Sequence, residues 1–434
     1  MPPQSRRALL ASAAAGIAAL AGCSGLRNAV DGAEPTVRPS ALREVASSES
    51  PTPEPALPVD VVDDLAAHHR ERVQHLLERV PRSPSGEETP GETVRDVVAR
   101  NVESARAELS AAADARYPSE RLAALRGARA DAAAAAATWA AADPRSDPTP
   151  SVAQNAVRDR LAAAERDRRY VGGEDSVGAL LAHGTVERRF ATAGRWLDGA
   201  LETNRSGAVG VGEAMESVER ARAYLDGGVR LYGGYVTSLP RERDVRPLLA
   251  TAADDLRSTA RERRPDGLTR ETTPGAVVDG YADAKGTAVG EALRDCYFDV
   301  VDPGAVRTGD DRLAAAALDV QAYLTAVRGF ETLESRIESG DYRTVESGED
   351  LRAFRQSAVE AIEAGRSRLD RRLLVESAVQ LGFDDERLRE FAEGVDGPLP
   401  ADELVPFAAD YLELAVTADA VPAASERVRA ALVG

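Results

Sequence analysis

Apolar side chains recur at helical spacing along most of this chain. Beyond Asp60 they follow one another at intervals of three and four, which places them on one face of an α-helix. Alternating, strand-like runs are nearly absent from the sequence. The first stripe is formed by Val62, Ala66, His69, Val73, Leu76 and Val80. This spacing predicts an all-α fold.

Prolines and glycines divide the body, residues 60–434, into about ten to twelve helices. Many of these segments are long and are joined by short connections, which favours antiparallel neighbours. We therefore expect a multi-helix up-and-down bundle, or stacked bundles, after a disordered N-terminal tether. The stretch 265–274, bounded by two prolines, is the best candidate for a domain division, with one continuous bundle as the alternative.

The N-terminus has the features of a processing signal. Arg6 and Arg7 precede an apolar pair, and this pattern resembles the twin-arginine export motif. The apolar stretch 8–20 is far shorter than the roughly 20 residues that span a bilayer. It ends in Leu-Ala-Gly-Cys, which is similar to the lipobox of exported lipoproteins, where the cysteine is lipidated. This resemblance implies that Cys23 is the lipidation site.

Two segments are thus expected before the body. Residues 1–22 are interpreted as a signal peptide that is removed. Residues 23–59 are interpreted as the lipidated cysteine and a disordered linker rich in Pro, Ser and Glu, because six prolines between Pro35 and Pro58 interrupt any helical or strand periodicity.

The composition restricts where the protein works. Its 72 acidic and 54 basic side chains give a net charge of -18, which disfavours nucleic acid as a partner. The mean hydropathy of -0.31 excludes a polytopic membrane protein. Every basic residue except Lys285 is arginine. With the signal, this composition resembles exported lipoproteins of extremely halophilic archaea. The resemblance implies a lipid anchor at the extracellular face of the cell membrane, where a cell-envelope protein is a natural partner.

A stripe of imidazoles and carboxylates lies opposite the apolar face of the first helix. It contains two His-x-x-Glu pairs one heptad apart, formed by His68, Glu71, His75 and Glu78. Imidazole and carboxylate are ligands of borderline-soft divalent metals. The alternative interpretation is a solvated helix face with intrahelical charge pairs. No other cofactor is indicated.

Two predicted helices mix glycine with tyrosine. The candidate ligand-binding residues there are Tyr224, Tyr232, Tyr235, Tyr281 and Lys285. Glycine inside a helix costs up to about 1 kcal/mol relative to alanine, so its density indicates either close backbone packing or a concave surface lined by tyrosines. The single lysine is either a titratable amine in such a surface or a residue present by chance, without a special role.

The remaining signals are weaker. Asn204 lies in an N-glycosylation sequon. Cys296 is expected to be a buried structural thiol. The acidic doublet Asp384–Asp385 is expected on the surface. Known catalytic motifs such as Gly-x-Ser-x-Gly are missing, and no residue is assigned a catalytic role.

These observations favour an exported, lipid-anchored helical protein that works by binding or scaffolding at the outer cell surface. A receptor for a small ligand or a divalent metal is the first alternative. A helical enzyme whose active site follows no known motif is the second, because a bundle can bring carboxylates and tyrosines from different helices into one cavity. The oligomeric state is left open.

Overall fold

A computed structural model describes residues 35–81, 91–143, 149–200, 206–301 and 311–433, and within these ranges the all-α prediction is confirmed. The helices in these ranges are α1 (Pro39–Ala46), α2 (Val62–Leu77), α3 (Glu92–Asp114), α4 (Pro118–Ala141), α5 (Pro150–Asp167), α6 (Ser176–Gly199), α7 (Gly207–Ser238), α8 (Arg246–Glu262), α9 (Pro274–Val277), α10 (Tyr281–Ala284), α11 (Ala288–Val301), α12 (Leu313–Ser339), α13 (Gly348–Glu363), α14 (Arg368–Glu393) and α15 (Val405–Val433). The two-residue strands in these ranges are β1 (Thr36–Val37), β2 (Val171–Gly172), β3 (Arg243–Asp244) and β4 (Leu399–Pro400). Among these helices, none is long and apolar enough to cross a bilayer.

The N-terminal helices α2 to α7 are organised around α4. This helix begins with Pro118 at its first position, where the missing N–H costs nothing. Its run of alanines from 132 to 136 is buried, and α2, α3 and α7 all pack against it. A Cβ on Gly212 of α7 would lie 3.0 Å from the carbonyl oxygen of Ala134, so the small residues allow the two backbones to approach closely.

The C-terminal helices surround α15, which packs against α11, α12, α13 and α14. They hold most of the largest apolar cluster, including fully buried Phe330 and Tyr411. Serine side chains start two of these helices. Ser347 accepts the backbone N–H of Asp350, and Ser367 accepts that of Asp370.

The two groups of helices meet where α6 packs on α12. The carboxylate of Glu187 on α6 accepts the backbone N–H of Ala315 at 2.6 Å, and the hydroxyl of Tyr170 donates to the carbonyl of Asp311 at 2.9 Å. Strand β2 pairs antiparallel with β3, next to this contact. The described residues from Pro35 to Val433 belong to one compact unit.

Part of the predicted disordered tether is folded, which corrects the prediction for residues 35–59. Strand β1 pairs antiparallel with β4, with Val37 opposite Leu399. Helix α1 starts at Pro39 and buries Leu42 and Val45 against α13 and α14. Prolines that interrupt periodicity are compatible with a helix that begins at one of them.

Residues 47–59, beyond α1, connect the two groups of helices. The guanidinium of Arg355 on α13 donates to the carbonyl of Ser48 at 2.9 Å. The hydroxyl of Tyr117, just before α4, donates to the carbonyl of Pro51 at 2.7 Å. Leu57 and Val59 pack against apolar clusters of both groups. We call residues 36–59 the N-terminal strap, because they fasten the C-terminal helices to the N-terminal ones.

Candidate functional site

The predicted metal-binding stripe on α2 is not brought together as a metal site. His68 turns towards α7, where its Nε2 lies 3.3 Å from Oδ2 of Asp226. Glu71, His75 and Glu78 are exposed. His68 and His75 are seven residues apart, about 10.5 Å along a helix, so one ion reaches both only if the side chains converge. In the described ranges, no three His, Cys, Asp or Glu side chains are placed to hold a metal ion.

The neighbouring histidine belongs instead to a buried charge cluster between α2, α4 and α7. Arg129 is completely buried, and its Nε and Nη2 donate to Oε1 of buried Glu219 at 3.0 and 2.6 Å. Its Nη1 and Nη2 also contact Oδ2 of Asp226 at 3.3 and 3.2 Å. Nη1 lies 2.8 Å from Nδ1 of His69, which must therefore be the unprotonated acceptor. Burial and the charge of Arg129 lower the pKa of His69 to about 2.

Further arginines complete this cluster, so its charges are compensated. Oε2 of Glu219 accepts from Arg72 at 3.0 Å and from Arg222 at 2.8 Å. Arg160 of α5 donates to Asp226 at 3.1 Å. Burial raises the pKa of Glu219, but the Arg72 hydrogen bond and the charges of the surrounding arginines outweigh it and leave the pKa below its ordinary value. We call these residues the Arg129 cluster; its geometry fixes the packing of four helices.

The three candidate tyrosines of α7 have structural partners. The ring of Tyr224 lies under the guanidinium of Arg126, 4.8 Å away. The hydroxyl of Tyr232 bonds to both the backbone N–H and the carbonyl of Arg169, at 3.0 and 3.1 Å. Tyr235 is buried in the largest apolar cluster. These side chains therefore do not line one common pocket.

The other two ligand-binding candidates lie in the C-terminal helices. Tyr281 begins α10 and packs beside Gly275. Lys285 follows α10 and is exposed.

Close packing explains several of the glycines in these helices. A Cβ on Gly228 would lie 2.5 Å from the ring of Phe190 on α6. A Cβ on Gly290 would collide with the carbonyl of Ala284. These contacts favour the packing interpretation over a concave surface lined by tyrosines.

The acidic doublet Asp384–Asp385 is buried, which corrects its assignment to the surface. Arg355 donates to both oxygens of Asp385 at 2.9 and 2.8 Å, and the hydroxyl of Tyr411 donates to the same carboxylate at 2.8 Å. Ser50 of the N-terminal strap also donates to it, at 3.3 Å. The two aspartates are adjacent on α14, yet helices on both sides cover them.

Asp384 carries a strongly perturbed carboxyl group. Burial, followed by the negative charge of Asp410, raises its pKa to about 8. Arg387 contacts both carboxylates, at 3.5 Å from Asp384 and 2.9 Å from Asp410, and Gln380 donates to Asp384 at 3.1 Å. The proton held at neutral pH relieves the repulsion between these acids.

The raised pKa of Asp384 predicts a pH-dependent stability. An unfolded aspartate loses its proton near pH 4 and the folded one near pH 8, so the stabilisation by this proton is lost as the pH rises between these values. Asp384→Asn cannot ionise and should flatten the dependence of the unfolding free energy on pH from 5 to 9. Chemical denaturation at several pH values measures this. The exposed control Asp402→Asn should keep the wild-type slope; the same slope in Asp384→Asn would contradict the assignment.

Several sequence predictions fall outside the described ranges: Arg6 and Arg7 of the export signal, the lipidation site Cys23 and the sequon residue Asn204. Cys296, in contrast, is described as a buried free thiol, as expected. Burial, with nearby carboxylates, raises its pKa well above the ordinary value, which makes it unreactive.

A groove with a volume of about 990 Å³ opens between α2 and α3. Both helices pack on α4, but they barely touch each other. The floor contains buried Val98 and part-buried Leu77, Val102 and Trp139. The remaining lining residues are Gln74, Glu78, Val80, Pro81, Arg95, Ala99, Glu103 and Arg106. Sequence reasoning missed this groove, which we call the α2–α3 groove.

Charged side chains border the apolar floor of the groove. They are Glu78 on the α2 side and Arg95, Glu103 and Arg106 on the α3 side. All four are exposed. Within the described part of the chain, none of them takes part in a side-chain hydrogen bond or an ion pair, unlike the arginines of the Arg129 cluster.

Comparison with known families gives two matches that meet close to β3. Residues 64–242 match a Domain of unknown function (DUF8262), and residues 246–430 match a Domain of unknown function (DUF8264). No curated protein and no solved structure shows significant similarity to the chain. The first match contains the α2–α3 groove and the Arg129 cluster. The predicted division at 265–274 lies inside the second match.

Proposed function

We propose that this chain is an exported, lipid-anchored protein that binds a partner at the outer cell surface through the α2–α3 groove. The observation that carries the proposal is the groove itself, an apolar floor bordered by four exposed charges that lack partners in the described part of the chain. Exposed apolar surface rimmed by polar groups marks a binding site, because burying it against a partner is favourable.

The buried carboxylates of the chain favour a binding function over a catalytic one. In the Arg129 cluster the carboxylates of Glu219 and Asp226 are occupied by arginines, and Asp385 is occupied by Arg355 and Tyr411. Such saturated groups hold helices together. The groove charges, in contrast, have no side-chain partner among the described residues.

The sequence supplies the proposed location. Arg6 and Arg7 would direct export, and lipidation of Cys23 would anchor the mature chain. The first described strand, β1, begins at Thr36, thirteen positions after Cys23. Thirteen residues span at most roughly 45 Å in any conformation. Under this proposal β1 lies within that distance of the lipid surface, closer than a linker over all of residues 23–59 would require.

A small-ligand receptor is the second candidate, since sites for small molecules have volumes of about 300–1,000 Å³. The groove reaches the upper end of that range. Its floor runs along α3, which favours an elongated occupant.

Replacing the proposed lipidation site tests the anchor. Cys23→Ser should move the protein from the membrane fraction into the medium or leave an unprocessed precursor, because two acyl chains on one cysteine provide stable membrane binding. Fractionation with immunodetection measures the distribution. Cys296→Ser, at the buried second cysteine, should leave it unchanged. Unchanged membrane association of Cys23→Ser would refute the lipid anchor.

A further inference from the structure

We infer that the occupant of the α2–α3 groove is an amphipathic helix of a partner protein, about three turns long. This inference rests on the proposed binding function and specifies its partner. It is carried by the shape of the groove, by the spacing of its charges and by the placement of Trp139.

The groove has room for one more helix beside α3. Among the described helices, α2 ends at Leu77 and has few contacts with α3, so α3 packs mainly on α4. One face of α3 lines the groove, with residues at spacings of three, one, three, one and three: Arg95, Val98, Ala99, Val102, Glu103 and Arg106. A helix laid along this face would pack on α3 and α4 as neighbours in a bundle do.

The length of the lined face sets the length of the occupant. Arg95 and Arg106 are eleven residues apart on α3, which corresponds to about 16.5 Å or three turns. Apolar residues of the occupant at intervals of three and four would cover Val98 and Val102. This is the recognition mode in which an amphipathic helix lays its apolar face into a groove.

The charges of the two walls specify the flanks of the occupant. Arg95 and Arg106, at the two ends of the α3 wall, would pair with acidic residues of the partner. Glu78 on the α2 wall would pair with a basic residue on the opposite flank. Glu103 lies on the α3 wall between the two arginines, so the acidic residues of the partner are expected at the two ends of their flank. Exposed ion pairs contribute little to affinity, so the charges select the orientation of the occupant more than they strengthen its binding.

Trp139 gives the groove an aromatic anchor. Its part-buried indole lies in the lining at the C-terminal end of α4. Tryptophan is enriched among residues that dominate binding energy, because it buries a large apolar area and keeps one N–H donor.

Titration with a designed peptide tests this inference. The chain contains two tryptophans, so Trp196→Phe leaves Trp139 as the only one. The probe is a peptide of about 15 residues with leucines at helical spacing, glutamates on one flank and arginines on the other. In concentrated KCl it should shift Trp139 emission to shorter wavelength and bind at least tenfold more tightly than a scrambled peptide. At reduced KCl concentration, where salt screens exposed pairs less, a peptide with exchanged flank charges should bind about threefold to tenfold more weakly.

Matched variants locate the binding. Val102→Asp places a charge on the groove floor and should weaken binding of the designed peptide at least tenfold. Val152→Asp, at an exposed valine of α5, should leave binding unchanged. Circular dichroism and thermal unfolding establish that both variants are folded.

The opposite results would overturn the inference. One is equal affinity for designed and scrambled peptides; another is unchanged binding by folded Val102→Asp. A third is a small apolar dye, anilinonaphthalene sulfonate, that binds in the groove and is not displaced by the peptide. That result would indicate a small apolar ligand and leave a binding function standing. A failure of the lipid anchor would appear only in the Cys23→Ser fractionation, so the two failures are distinguishable.

Discussion

Replacing Arg129 by methionine should lower the free energy of unfolding by about 3–5 kcal/mol. Methionine fills much of the same space but leaves the carboxylates of Glu219 and Asp226 without their shared buried cation. Arg72, Arg222 and Arg160 would remain, but they are partly exposed and compensate the buried carboxylates less well than Arg129 does, so the loss exceeds that of a surface pair. Chemical denaturation in concentrated KCl, followed by circular dichroism, measures the change.

Two variants make this expectation specific. Arg158→Met removes an exposed ion pair with Asp198 and should cost at most about 1 kcal/mol. The double variant Arg129→Met/Glu219→Gln should recover part of the loss, because it removes one of the stranded charges. A loss in Arg129→Met no larger than in Arg158→Met would contradict the structural role of the Arg129 cluster.

Replacing Arg355 by methionine should have an effect of similar size, about 3–5 kcal/mol, for the same electrostatic reason. Among the described residues, Asp385 would keep only the hydroxyl donors of Tyr411 and Ser50, and the carbonyl of Ser48 would lose a donor. The N-terminal strap would therefore loosen from α13. Limited proteolysis should cleave within residues 47–59 faster than in the wild type, alongside the fall in unfolding free energy.

The control for this variant is Arg352→Met on the same helix. Arg352 pairs with Glu44 of the strap, but both side chains are largely exposed. Its loss should cost at most about 1 kcal/mol and leave cleavage of the strap nearly unchanged. Slow cleavage in Arg355→Met would show that the strap is held by other contacts.

Local patterns predicted the helices well and the strap badly, for a physical reason. The spacing of apolar residues identifies the buried face of a helix. The stripe from Val62 to Val80 therefore predicted α2 and correctly placed His69 on its buried face. The strap is stabilised by partners far along the chain, with Val37 opposite Leu399 and Ser48 bound to Arg355. The spacing of neighbouring residues does not reveal such distant contacts, and the prolines of the strap resemble those of a linker.

The candidate site depended on packing that sequence alone does not specify. Arg129 lies in an alanine-rich run, an unusual place for a cation, and this was the available signal for a buried charge. Its partner Glu219 is 90 residues away. The α2–α3 groove exists because α2 and α3 both pack on α4 but hardly on each other. Val98, Val102 and Trp139 each fit an ordinary core position in the sequence. Their place in the lining of a groove follows only from the helix arrangement.

The central claim is that a partner occupies the α2–α3 groove at the outer cell surface, and thiol labelling tests it most directly. Ala99→Cys lies in the groove, and Val152→Cys is the exposed control on α5. The remaining thiols give little background, since Cys296 is buried and Cys23 is acylated under the proposal. A membrane-impermeant maleimide is applied to intact cells and to purified protein, and labelling rates are compared.

We predict that Val152→Cys reacts at similar rates in cells and in purified form, while Ala99→Cys reacts several-fold more slowly in cells, because a bound partner covers it. Equal rates for Ala99→Cys in the two settings would contradict an occupied groove. Failure of the impermeant reagent to label Val152→Cys in intact cells, when a permeant maleimide labels it, would contradict the outer-surface location.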